Sequence, residues 1–585
     1  MRRRTLLRYL GFTSLAAIAE TNGLHAQGAV TGPPSPALSQ IGYAPSWRKV
    51  ATLPASSAEK TFRILAEADL AHPVFEAPVS PPITDVLSGD SVVLADFSRL
   101  TRPGKYRLIS AQLKSDPFPI GPDSFRETLR TTMLGFHGQR CGAEVTIGPH
   151  HHVACHANGA YHGTSGKSGP FANTGGWHDA GDYGRYIVNS GISTGTLLWA
   201  GELYPHQVTN LHLNIPESGG KMPDYLAEIR WNLAWMLSLQ DSDGGVWHKQ
   251  TSEQFCAFIM PEQDTLTSYV IGTGSQPYKS TCATADLASV AAIAARCYAP
   301  FEPNFAQQCL EAAKRAWKWA QANPNVPFHN PNGIKTGEYG DNNCSDELLW
   351  ASAELWRTTG DPQYEQAFLT AATPLLAEAN AHGGSRWVPG FSWVAPLAYW
   401  TWVLSSRKSS NPSQAASLRA QIIEQTQQAA QSLADHAESG GYGTTMAPEQ
   451  YNWGSNGTAA NQSLLLLIAD HFQPTPRFRE AALGNLHYLL GRNCFGISWV
   501  TGVGTNSFLH PHHRPSAADG IEAPWPGLLS GGPNARPADE AARTVPKQPP
   551  MRMWIDDQRA YSMNEIAINW NAPLVFLLAA ACNLA

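Results

Sequence analysis

Two periods of apolar spacing divide the chain. Between residues 38 and 121, short runs of β-branched and aromatic residues (KVATL, TFRILAEA, SVVLADF, KYRLIS) alternate with clusters of Pro, Gly and Asp. Runs punctuated in this way predict strands, and a segment of this length predicts a small β-sandwich. After Pro122 the period lengthens, and twelve segments repeat apolar residues at the three- and four-residue spacing of helices. SFRETLRTTMLGFHGQ, PDYLAEIRWNLAWMLSLQ, DELLWASAELWRTTG and NEIAINWNAPLVFLLAAAC are examples, and several end in Gly, Asn or Pro. The intervening loops are long and hold Gly, Pro, His and Trp. Twelve helices in six hairpins can close into a ring whose last helix lies beside its first and whose loops gather at one rim, where a cleft can form. No internal repeat enforces that closure, and an open helical array is the alternative.

Composition narrows the function. The 585 residues exceed one ordinary core, so at least two domains are expected. A net charge of −6 carries no basic bias and excludes nucleic acid as a natural partner. Some of the 19 tryptophans belong to a core, and sugar-binding clefts also use exposed indole faces as platforms. The N-terminal MRRRTLLRYLGFTSLAAIAE places arginines before a short apolar segment. Residues 1–26 therefore read as an export signal, similar to a twin-arginine signal at Arg3-Arg4, and 27–37 as a linker. No later run is apolar enough to span a membrane. The expected destination is the periplasm or the exterior. The nine cysteines, odd in number and scattered, do not read as a disulfide framework. Cys297, Cys309 and Cys582, in helical contexts, read as small buried hydrophobes.

Two clusters carry chemistry. In GGWHDAGDYGRY, Asp179 and Asp182 stand three positions apart in a glycine-containing turn that can aim two carboxylates at one water. The alternative is an ordinary turn, where Asp and Gly are common. Cys141, Cys155, His156 and His178 offer two thiols and two imidazoles, the donor set of a closed four-coordinate zinc site. Their spacing is not that of a zinc finger; buried thiols with surface histidines are the alternative. His150, His151, His152 and His162 lie near enough in sequence to exchange as ligands. A metal here would be structural and would staple the loop, because His178 directly precedes Asp179. The His-Pro-His-His run at 510–513 is a weaker metal candidate.

GGWHDAGDYGRY, SWVTGVGTNSFLHPHHR (498–514) and WIDDQRAYSMNEIAINWNA (554–572) together resemble, in order, the aspartate, histidine and C-terminal acid motifs of glycoside hydrolase family 9. The resemblance covers roughly 122–585. The β segment, beginning LSQIGYAP, is similar to the immunoglobulin-like domain of one branch of that family. The resemblance implies an all-α (α/α)6 barrel over 122–585 preceded by an immunoglobulin-like sandwich over 38–121. It implies an inverting endo-β-1,4-glucanase, with Glu565 as general acid, Asp182 as general base and Asp179 orienting the water. Inversion needs the acid and base about 6.5–9.5 Å apart to admit that water. It also implies that His512 and Arg514 bind sugar hydroxyls, that Trp453 stacks on a pyranose, and that Tyr561 bonds near the reacting sugar. Asp556 matches a signature aspartate and reads as a support for the catalytic groups.

The family branch carries a zinc site matching Cys141, Cys155, His156 and His178. It also holds calcium at a loop matched by Asp346 and Glu347, although a further aspartate of some members corresponds here to Val394. Exo-acting hydrolysis of short gluco- or glucosamino-oligosaccharides, a non-catalytic carbohydrate-binding role, and a partner-binding role for the β domain are the alternatives. The chain reads as a monomer. No linker follows Ala585, which leads to an expected preference for soluble or amorphous glucan.

Overall fold

The computed structural model describes residues 33–173, 175–381 and 383–585. The expected export signal and residues 27–32 of the expected linker lie outside the described residues. Ala37, at the end of that linker, already pairs with Thr52.

Among the described residues, eight strands precede the helices. β1 (Val50–Pro54), β5 (Ser91–Asp96) and β4 (Ile83–Thr84) form one antiparallel sheet. β3 (Asp69–Pro78), β2 (Thr61–Ala66), β6 (Gly104–Ser110) and β7 (Leu113–Lys114) form the second, with β8 (Phe118–Ile120) also paired to β6. The core between them follows from alternation: Ala51 and Leu53 of β1 and Val93 and Ala95 of β5 face Phe62 and Ile64 of β2 and Tyr106 and Leu108 of β6.

Twelve helices of ten or more residues follow among the described residues. They are α1 (Arg126–Gly138), α2 (Ile187–Leu203), α3 (Asp224–Ser238), α4 (Thr281–Tyr298), α5 (Pro303–Ala322), α6 (Ser345–Thr359), α7 (Pro362–Ala381), α8 (Ala395–Leu404), α9 (Pro412–Ser439), α10 (Ser455–Phe472), α11 (Pro476–Leu489) and α12 (Ile568–Leu584). The even-numbered helices are the inner ring. α2 packs on α4, α4 on α6, α6 on α8, α10 on α12 and α12 on α2, and α9 bridges α8 and α10. Inner helices are buried nearly all round, as in α2 from Ile187 to Ala200 and α8 from Ala395 to Val403. Outer helices bury one stripe, as α5 does with Phe305, Cys309, Ala313, Ala316 and Ala320.

The ring sets the site. The loops that lead into α2, α6, α8, α10 and α12 all line one cleft at a single rim. The β-sandwich grips the barrel through buried polar contacts. Asp90 accepts from Arg552 and from the Tyr442 hydroxyl, each at 2.6 Å, and Asp85 accepts from the Gly441 amide at 2.8 Å.

One expectation about the cysteines is corrected. Cys282, in the first turn of α4, is disulfide-bonded to Cys344, immediately before α6. They are 62 residues apart, and only the packing of α4 beside α6 brings them together. Cys309 is buried as expected, whereas Cys297 and Cys582 are half-buried.

Candidate active site and metal centre

Three distant segments are stitched together through their backbones. The Asp179 carbonyl accepts from the Ile568 amide at 2.9 Å, the Gly181 carbonyl from the Arg514 amide at 3.1 Å, and the Asn564 carbonyl from the His512 amide at 2.9 Å. Gly181 is dictated by this approach: a Cβ there would stand 1.7 Å from the His512 carbonyl oxygen. Asp179, Asp182, His512, Arg514, Trp453, Tyr561 and Glu565 consequently line the same cleft. Its volume is about 1240 Å³, above the ~300–1000 Å³ of sites for a single small molecule.

The two aspartates have different surroundings. Asp179 is buried, and its oxygens accept from Asn189 Nδ2 and the Tyr339 hydroxyl, both at 2.6 Å. Burial pushes its carboxyl up to about 7; the Asp182 charge adds to the rise, and the two hydrogen bonds oppose it. Asp182 is half-buried and accepts the Gly184 amide on Oδ2 at 2.9 Å, which leaves Oδ1 for other partners.

Glu565 sits between the one-turn helix Tyr561–Asn564 and α12. Burial, then the charges of Asp182 and Asp179, lift its carboxyl to about 8, against a hydrogen bond from Trp453 Nε1 to Oε2 at 3.0 Å. It therefore holds its proton at neutral pH while sharing a cleft with two acidic groups. The His512 Nδ1–H donates to the Gln558 carbonyl at 2.8 Å, and burial lowers the ring below the ordinary imidazole value. A carbonyl only accepts, so Nε2 is left as an acceptor.

Cys141, Cys155, His156 and His178 converge, all buried, with their donor atoms within 4.8 Å of one another. The Cys141–Cys155 sulfurs are 3.8 Å apart, Cys141 Sγ lies 3.6 Å from His156 Nδ1, and Cys155 Sγ lies 3.8 Å from His178 Nε2. A tetrahedral ion with metal–sulfur bonds of about 2.3 Å and metal–nitrogen bonds of about 2.1 Å needs sulfur–sulfur and sulfur–nitrogen edges of about 3.6–3.8 Å. The other ring nitrogen of His156 faces Asp264 at 3.4 Å, the outer carboxylate that usually orients a metal-binding imidazole. Of the other nearby histidines, His150 pairs with Asp519, His151 with Thr146 and His162 with Thr164, while His152 bonds the Val153 carbonyl through Nδ1 and leaves Nε2 buried without a partner.

The family model for glycosyl hydrolase family 9 matches residues 125–578, and that for the cellulase N-terminal ig-like domain matches residues 34–115. The chain belongs to glycosyl hydrolase family 9. It is 35% identical over 556 residues to Endoglucanase D of Acetivibrio thermocellus, covering 93% of this chain and 83% of that protein. The structure of AaCel9A in complex with cellobiose-like isofagomine superposes with a TM-score of 0.84 at 33% identity, covering 94% of this chain and all of that one. The Zn-binding triple mutant of endoglucanase J30 superposes with a TM-score of 0.82 at 32% identity, covering 92% and 99%. The barrel and immunoglobulin-like architecture expected from the sequence is thus the architecture of this family 9 chain.

Two expected site residues take more particular places. Asp556 is absent from the cleft lining. Its carboxylate accepts the Leu509 and His510 amides at 2.9 Å each and so anchors the segment that carries His512. Arg514 spends three of its five N–H groups on carbonyls, Nε and Nη2 on Cys256 and Nη1 on Gly181. Its first task is to hold the loop around Cys256 against the aspartate turn.

Asp346 and Glu347 head α6. Asp346 accepts the Val394 amide at 2.6 Å, so Val394 contributes through its backbone. Two carboxylates missed in the sequence join them, Asp286 from α4 and Asp341. Both oxygens of Asp286 and of Glu347, and one of Asp341, are buried without hydrogen-bond partners. Burial and mutual repulsion raise Asp286 and Glu347 well above the usual carboxylate range. Asn189 and Tyr339 were missed as well. Asn189 had a faint signal, lying ten residues after Asp179 on the helix that the aspartate turn feeds.

Proposed function

We propose that this family 9 hydrolase cleaves internal β-1,4-glucosidic bonds of cellulose-like glucans with inversion. The observation that carries the reading is Glu565, buried and with its carboxyl lifted to about 8, lining the same cleft as the Asp179–Asp182 pair. Glu565 donates its proton to the leaving glycosidic oxygen. Asp182, through the oxygen not bound to Gly184, takes a proton from water on the opposite face of the sugar. Asp179 fixes that water from behind, its own position set by Asn189 and Tyr339. His512 Nε2 accepts from a sugar hydroxyl, Tyr561 bonds near the reacting sugar, and the exposed indole of Trp453 supplies a flat apolar face for a pyranose. The size of the cleft supports an oligomeric substrate over a single small sugar. Reducing-end anomers followed by NMR during cellohexaose hydrolysis test the reading: the α-anomer is expected first, and a β-anomer overturns inversion.

The four-residue Cys/His group is read as a structural zinc site, with Cys141, Cys155, His156 and His178 holding the ion. The tetrahedral edges and the outer Asp264 support that assignment. When bound, zinc would supply a fixed cross-link between the 141–156 segment and the aspartate turn. The all-oxygen donors Asp286, Asp341, Asp346 and Glu347 suit a hard cation, and calcium is the proposed occupant. Two elements from mass spectrometry of the purified protein, zinc and calcium, test both. The reading extends to an exported protein. No helix among the described residues is long and apolar enough to cross a membrane.

A further inference from the structure

Arg492 follows α11 at the junction of sandwich and barrel and is 6% exposed. Its Nε donates to Thr52 Oγ1 of β1 at 3.1 Å, and its Nη2 to the Gly441 carbonyl at 3.4 Å. Both acceptors are neutral. Among the described residues, Nη1 has no acceptor and no carboxylate forms an ion pair with the guanidinium. Lys49, also buried, repeats the pattern: its Nζ donates to the Pro45 and Trp47 carbonyls at 2.8 and 2.7 Å. Burial lowers Arg492 to about 10 and Lys49 to about 8, and the acid whose field reaches both, Asp96, is solvent-exposed. A buried charge without a counter-charge is costly.

A cavity of about 50 Å³ opens onto Arg492. A single water needs about 10–15 Å³ of such space, so this one admits a group the size of several waters. His487 of α11 also lines it; among the described residues its ring nitrogens make no hydrogen bond, and Nε2 is wholly buried. Burial, then the charges of Arg492 and Lys49, push the ring down to about 3. The imidazole is therefore neutral and carries one N–H in want of an acceptor. Arg48, Arg477, Glu438 and Glu480 complete the polar lining. Arg477 is engaged by Glu438 and Asp435, whereas Arg48 and Glu480 are exposed, which opens the cavity to solvent. Gly443 leaves the space free: a Cβ there would stand 2.6 Å from Arg492 Nη1.

We propose that this cavity binds a small tetrahedral oxyanion, inorganic phosphate or sulfate, with Arg492 as its principal donor and Arg48 at its mouth. Guanidinium groups suit such oxygens in charge and in shape. Arg492 already ties β1 to the Gly441 segment of the barrel. An anion on its free nitrogen neutralises the cation at that joint and stabilises the docking of the two domains. The cavity shares no lining residue with the cleft that holds Asp179, Asp182 and Glu565, so the site is independent of the hydrolase reading.

The test titrates inorganic phosphate into the protein by calorimetry and follows the melting temperature over the same concentrations at constant ionic strength. Saturable binding to one site is expected, with the melting temperature rising as the logarithm of phosphate concentration above Kd. Sulfate is expected to compete, and chloride to give no saturable rise. Arg492→Met is expected to weaken binding at least about tenfold, the share of a hydrogen bond to a charged group. Arg48→Gln, at an exposed position, is expected to weaken it about two- to fivefold. A rise that does not saturate and is equal in parent and Arg492→Met is general salt stabilisation and overturns the site. Saturation by chloride alone overturns the oxyanion, and phosphate inhibition of glucan hydrolysis with the calorimetric Kd moves binding to the cleft and overturns this cavity. Should Arg492→Met fold poorly, Arg48→Gln decides: a Kd equal to the parent's removes the anion from this cavity.

Discussion

The carbonyl of Asp179 accepts a hydrogen bond from the amide of Ile568, 2.9 Å away. These residues lie at the entrances of the first and last inner helices, α2 and α12. The bond fixes the aspartate turn to the start of α12, three residues after Glu565. The carboxyls proposed as acid and base are therefore registered by main chain as well as by side-chain packing.

Glu565→Gln is expected to lower kcat on carboxymethyl-cellulose by about 10²–10⁴-fold, the usual contribution of a positioned proton donor. In the parent enzyme, kcat/KM falls as pH rises through about 8, where Glu565 loses its proton. The same shift has a stability consequence. Between the ordinary carboxyl value of 4.5 and about 8, the folded state retains a proton that the unfolded state has released, so stability falls as pH rises through that window. Glutamine removes this dependence. The variant's melting temperature should exceed the parent's, by a margin that widens from pH 5 to pH 8 on scanning calorimetry.

Tyr339→Phe removes a donor that lowers the Asp179 carboxyl. The Asp179 titration therefore moves upward, and the acid limb of the kcat profile moves to higher pH. A charge-assisted bond of this kind contributes about 1.5–3 kcal/mol, so kcat should fall about ten- to a hundredfold. An unshifted pH profile would mean that Tyr339 only packs against its neighbours.

Asp264→Asn keeps the shape but removes the carboxylate facing His156. Zinc affinity measured by chelator competition is expected to fall about 10–100-fold. Cys155→Ser should lose the ion, lower the melting temperature and depress turnover, because His178 and Asp179 are adjacent in the chain. Zinc content of one equivalent in that variant would dismiss the assignment.

Asp90→Ala strips Arg552 and Tyr442 of a buried acceptor at the junction of the sandwich and the barrel. Breaking one side of a buried ion pair costs about 3–5 kcal/mol, readable from denaturant midpoints. Turnover should decline as well, because Arg552 begins the segment that leads to Glu565. Unaltered stability would argue that the sandwich only accompanies the barrel.

Much of this was legible in the sequence because it is periodic or carried in compact motifs. The outer helices announce themselves by a single apolar stripe, and the aspartate, histidine and acid motifs each hold their chemistry within a few residues. What escaped was set by closure of the ring. Tyr339 and Asn189 reach Asp179 from separate segments, and nothing local to Tyr339 in GEYGDN signals that contact. Cys282 and Cys344 meet only because α4 and α6 are neighbours. Asp286 sits in an alanine-rich helix, where its charge reads as a solvent-facing residue until all sides of the helix are seen to be covered.

Because the opening and the final inner helix jointly build the reaction centre, a nascent chain has no working site until α12 has been synthesised and docked against α2. Partial translation products are therefore expected to be inert towards glucan, and a ribosome stalled between Asp182 and Glu565 yields a polypeptide that carries the aspartate pair without the proposed proton donor.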